Sequence, residues 1–122
     1  MGELTDLAEA YIARYASIES AADNSTFWAF EEVAELVREH PATALAFLLE
    51  CCEYEISDFC RANLAAGPLE DLLFKHGPTM IDAIEAQAAI NATFKELLGG
   101  VWTSTMDQAI RERVEQMQGD LW

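Results

Sequence analysis

Apolar residues recur at intervals of three and four along most of this chain, and Val, Ile and Thr never alternate with polar residues for more than a step or two. That periodicity predicts helices throughout and no sheet. In the first segment Leu4, Leu7, Tyr11, Ile12, Tyr15 and Ile18 form one stripe, which places a helix from about Thr5 to Ala21. Asp23, Asn24 and Ser25 then offer capping oxygens for a second helix whose buried face would hold Phe27, Phe30, Val33, Ala34 and Val37. Pro41 ends that helix and suits the first position of the next, whose apolar spacing continues from Leu45 through Phe59 to Leu64. One helix of that length is long for a small domain, and Ser57 with Asp58 reads as a fresh start, so a break is expected near Tyr54 to Ile56.

Glycine and proline punctuate the remainder. Gly67-Pro68 predicts the end of one helix and the start of a short one, with Glu70 and Asp71 in its first turn. His76-Gly77 predicts its close, Gly77 taking the left-handed conformation, and Pro78 opens a helix carrying Met80, Ile81, Ile84 and Ala88. Asn91 is placed to cap another short helix through Leu98. Gly99-Gly100 predicts a tight turn that delivers Trp102 into the core. Thr105 to Gln108 reads as a capping box for a last helix with a stripe of Met106, Ile110, Val114 and Met117, fraying near Gly119. Short helices joined by short turns predict an all-α domain of six to seven helices, an orthogonal bundle or stacked helical hairpins. The 122 residues make one domain, with residues 1–24 a candidate peripheral helix and 119–122 a frayed tail.

The segment Ala65-Ala66-Gly67-Pro68-Leu69-Glu70-Asp71-Leu72-Leu73, with His76-Gly77 and with Ile81, Ile84, Glu85 and Ala88, resembles an uncharacterised bacterial family of small helical domains. Phe94, Leu97, Leu98, Gly99, Val101 and Trp102 look like its second hallmark, and Phe27-Trp28 with the Pro41 segment its weaker early part. The resemblance spans about residues 25 to 118. It implies a helical fold, and it brings no catalytic residues, since the family is a domain of unknown function.

Charge narrows the function classes. Acids outnumber bases 22 to 7, a net charge of -15, so the surface repels phosphate backbones and direct nucleic-acid binding is not expected. Apolar runs such as Ala42 to Leu49 fall far short of the ~20 residues a membrane span needs, and no basic-then-apolar leader is present. Cys51, Cys52 and Cys60 form no paired framework, which fits a reducing, cytoplasmic setting. His40 and His76 stand in no metal-ligand spacing, and no loop of alternating carboxylates exists, so neither a metal nor a cofactor is expected.

Three groups of side chains remain. Asp71 and His76 could flank a cleft at Gly67 to Pro78 as acid and base, although capping of helix ends by Glu70, Asp71 and His76 accounts for the same residues. The cysteines lie among Glu50, Glu53, Glu55 and Asp58, whose charge suppresses the thiolate, so packing is their expected role. The acids are concentrated: ten stand between Glu19 and Asp58 against Arg38 alone. Glu31, Glu32, Glu35 and Glu39 repel one another on one helix, and with Glu50 and Glu53 around Trp28 they form the candidate surface for a basic protein partner. An acidic, non-enzymatic interaction module of the inhibitor or immunity type is the leading expectation. The alternatives are a small enzyme using Asp71 and His76, and a homodimer or larger homo-oligomer that buries the Met106, Ile110, Val114, Met117 stripe.

Overall fold

The structure, a computed structural model, describes residues 2–122, and among the described residues every regular element is helical. α1 (Gly2–Arg14) is followed by a single turn, α2 (Ile18–Ala21), and by a 3-10 turn at Asn24–Thr26 that leads into α3 (Phe27–Glu39). α4 (Pro41–Cys51), α5 (Asp58–Leu64), α6 (Glu70–Ile90), α7 (Ala92–Leu98) and α8 (Gln108–Met117) complete the order.

Short polar side chains set several of these boundaries by accepting from amides that have no helical partner. Ser17 Oγ takes the Ser20 N–H, Ser57 Oγ the Cys60 N–H, and Asn91 Oδ1 the Phe94 N–H, at 3.1, 3.1 and 3.0 Å. The breaks expected ahead of Ser57 and at Asn91 are therefore present, and Pro41 opens α4. The first helix does not run unbroken to Ala21, because Ser17 restarts the chain in a new direction and leaves Ile18 exposed instead of buried on the stripe. The capping box at Thr105 to Gln108 does not form either. Asp107 precedes α8 without a side-chain cap, and the turn is closed by Met106 N–H to Thr103 O at 3.0 Å.

Two prolines sit within one helical rod. A proline has no N–H, and its ring crowds the carbonyl four residues back. At Pro68 the chain absorbs this by widening to a π turn over Ala65–Leu69, where Glu70 N–H reaches Ala65 O. Gly67-Pro68 thus joins α5 to α6 and does not separate two helices, and Glu70 and Asp71 do not occupy a free helix start. At Pro78 the same crowding produces a kink at His76 (φ -130°, ψ 24°), and Thr79 Oγ1 donates to His76 O at 3.1 Å. Gly77 has no left-handed conformation, for no residue with positive φ occurs among those described. Its value is size: a Cβ there would lie 2.9 Å from Ile110 Cγ1, so the missing side chain lets α8 press onto α6.

α4 packs on α1, α3 and α6, and α6 in turn packs on α7 and α8. Leu7, Ala8 and Tyr11 of α1 are buried, and the Tyr11 ring meets Phe47 of α4 edge-on at 5.4 Å, so the first helix belongs to the core and is not peripheral. α3 buries Ala29, Val33, Leu36 and Val37, a face turned away from the one its aromatics suggested, and Phe27, Phe30 and Ala34 stay outside. Trp102 is also outside, 72% exposed, and Val101 takes the inward position. The glycine pair makes room for another indole: Trp122 N–H donates to Gly99 O, and its Nε1–H to Glu96 O at 2.9 Å. Residues 119–122, expected to fray, carry no helix, and these two bonds hold Trp122. Met106, Ile110 and Val114 are buried and Met117 packs against the same core, so that stripe is consumed inside the fold and is not free to join subunits.

Arg113 of α8 clamps α6 by donating to Glu85 and to Asp82 Oδ1, the latter at 2.7 Å. The guanidinium holds the Glu85 carboxyl below its ordinary range. A depressed folded pKa adds stability that is full above the unfolded pKa and lost as pH falls through the folded one. Arg113→Gln is therefore expected to melt below the parent at pH 7, with the gap closing as pH drops below about 4, the ordinary glutamate range. Parallel melting curves that keep a constant gap from pH 7 to 3 would contradict it.

Candidate functional site

An open groove of about 620 Å³ lies between α3 and the α5–α6 rod, within the roughly 300–1,000 Å³ typical of small-molecule sites. Phe30, Ala34 and Arg38, each one turn apart, rise from the α3 side, with Val33 and Val37 deeper. Phe59, Asn63, Gly67, Asp71 and Lys75 recur every four residues along the opposite wall, a register that survives only because the π turn carries the helix through Pro68. Tyr11 of α1 and Tyr15, just beyond its end, form the floor. Burial pushes the Tyr11 phenol well above its ordinary range, with the neighbouring Tyr15 adding to the shift.

One end of the groove is aromatic. Tyr15 and Phe59 rings stand 6.2 Å apart, and the Arg14 guanidinium covers both Tyr15 and Phe27, at 5.5 and 5.3 Å. The start of α3 and the start of α5 therefore share an aromatic end. Further along, α3 packs on the Ala65–Leu69 turn and on α6, and Arg38 and Lys75 are the two bases of the groove lining. Sequence reasoning missed this site, because ending a helix at Gly67-Pro68 breaks the four-residue register of the second wall.

The other flank of α3 is acidic. Trp28, Glu32, Glu35 and Glu39 follow one another at intervals of four, three and four and form a ridge, with Glu31 beside it. Trp28 is 48% exposed and all four carboxylates face solvent. Among the described residues, Glu39 alone of these four meets a base, Arg38 Nε at 3.2 Å, and the other ion pairs lie elsewhere: Arg61 with Asp58 and Glu96, Arg111 with Glu115, and Arg113 with α6. Glu50 does not join the ridge in this way. It is half-buried and accepts from Thr5 Oγ1 at 3.3 Å and Tyr54 Oη at 3.2 Å, tying α4 to α1. Burial, and the bond the Tyr54 phenol donates to Glu50, raise its pKa. Glu53 is exposed on the turn after α4.

Asp71 and His76 do not line the groove together. Asp71 is exposed on the groove wall, whereas His76 lies at the kink outside the groove lining, its Nε2 buried without a hydrogen-bond partner. The cysteines are packing residues: Cys51 and Cys60 are fully buried, and burial pushes the Cys52 and Cys60 thiols up to about 11. Among the described residues no three His, Cys, Asp or Glu side chains converge as a metal site would require, and no helix is long and apolar enough to cross a membrane.

Together these features define an all-helical domain whose third helix separates an apolar groove from an acidic ridge. The chain belongs to DUF6869, a family of unknown function, whose model matches residues 16–121. The match starts after α1 and so includes both flanks of α3 and the whole α5–α6 rod. No curated protein and no solved structure matches the chain.

Proposed function

We propose that this protein is a non-enzymatic interaction module of the cytoplasm that docks a basic protein partner on the α3 ridge, in the manner of inhibitor or immunity proteins. The observation that supports the reading is the ridge itself: Trp28 half-exposed at one end, and Glu32, Glu35 and Glu39 in line behind it with one neighbouring base. Carboxylates held on a rigid helix steer a cationic surface into register, and an indole beside them supplies the apolar anchor common in binding hot spots. The three-carboxylate line also repels itself, which costs helix stability and is relieved by a cationic partner.

Charge reversal at Glu32, Glu35 and Glu39 to lysine should abolish capture of a basic partner from the native cell. The same charge change at Glu96, Asp107 and Glu112 should leave capture intact. Binding should also weaken steeply between roughly 50 and 500 mM salt, as exposed charge pairs are screened. Equal loss in both triple variants, a partner without net positive charge, or salt-independent capture would overturn the reading.

A further inference from the structure

We infer that the groove between α3 and the α5–α6 rod is a binding site for a single-chain carboxylate amphiphile, a fatty-acid-like anion, with its chain along the apolar walls and its head between Arg38 and Lys75. This site lies on the opposite flank of α3 from the acidic ridge, and the two meet at the Arg38–Glu39 ion pair. The argument rests on charge placement. The chain has only 7 bases against 22 acids, yet two of those bases line this one groove, where Asp71 is the single acid. The remaining lining is aromatic, aliphatic or small, and Asn63 already donates its side-chain amide to Phe59 O at 2.8 Å. A mainly apolar groove whose lining carries two bases and one acid matches an apolar chain with one anionic end.

The anion is a carboxylate rather than a phosphate on the same grounds. Asp71 stands one helical turn from Lys75, and the whole molecule carries -15, so a second negative charge on the head is penalised more than the first. The Arg38 guanidinium meets Glu39 through Nε, and its two terminal nitrogens match the two oxygens of a carboxylate. The α3 wall from Phe30 to Arg38 is about 12 Å long at the helical rise, which suits a medium-length chain.

Titration calorimetry of the full chain at ~150 mM salt with decanoate, decanol, decylammonium and decyl phosphate tests this. Decanoate should bind at least tenfold more tightly than decylammonium, although the net charge of the protein favours the cation, so only the local bases can produce that order. Arg38→Gln combined with Lys75→Gln should weaken decanoate at least tenfold and leave decanol unchanged, while Asp71→Asn should tighten decanoate. Ala34→Trp, an exposed groove-wall position, should block all four probes without lowering the melting temperature by more than a few degrees. Absence of decanoate binding to millimolar concentration, tighter binding of decylammonium or decyl phosphate, equal binding of decanol with no effect of the double variant, or undiminished binding to Ala34→Trp would each overturn the proposal.

Discussion

Phe47→Ala is expected to lower the unfolding free energy by about 3–5 kcal/mol, the range for truncating a fully buried phenylalanine. Phe47 has no exposed surface, and its ring makes an edge-on contact with Tyr11, itself part of the groove floor. Burial of such a side chain contributes about 1.5–3 kcal/mol. The aromatic pair adds about 0.5–1.5 kcal/mol, and the cavity left behind supplies the remainder. With small domains stable by about 5–15 kcal/mol in all, the variant is left near the margin of folding. Denaturant melts should show the midpoint shift with little change in slope, and Phe47→Leu, which keeps most of the volume, should lose only about 1 kcal/mol. A loss below 1 kcal/mol for the alanine variant would mean that α1 is not held on α4 by this contact.

Gly77→Val is expected to cost about 3 kcal/mol, the upper part of the range for overfilling a packed site. Glycine is normally the weaker helix residue by about 1 kcal/mol, so propensity alone predicts little penalty or a gain. The contact with Ile110 reverses this, because the branched side chain of Ile110 is held inside the α6–α8 seam and has little room to withdraw. Ile110→Ala alone should cost about 2–5 kcal/mol, yet combined with Gly77→Val it should cost less than the two effects added, a coupling of at least about 1 kcal/mol. Additive losses would show that position 77 tolerates no side chain for a backbone reason, which the absence of any positive φ argues against.

Much of the helical order was legible before any coordinates. Ser57, Asn91 and Pro41 act over three or four residues, through hydrogen bonds or ring constraints that are complete within one turn, and the helices they announce are present. The errors share a cause. Gly67-Pro68 and His76-Gly77-Pro78 carry local signals to stop, but the packing of α6 on α3, α4, α7 and α8 favours one continuous rod, bought with a π turn and a kink. Trp102 stays outside for a similar reason: the indole that packs on Gly99-Gly100 is the one the distant chain returns, the half-exposed Trp122.

The acidic ridge was legible in part, since the spacing of Glu32, Glu35 and Glu39 puts them on one helix face, but the engagement of Glu50 by Thr5 depends on a contact across 45 residues. The groove was not legible at all.

From its own order of residues the chain determines that it is helical, where most helices begin, and that its first half is strongly acidic, because caps, periodicity and charge are properties of neighbours along the backbone. Only the tertiary arrangement decides that Arg38 and Lys75 line one groove and that Phe30 faces it. Those relations require two helices to be aligned in space, and side-chain packing, which no local signal encodes, sets the alignment.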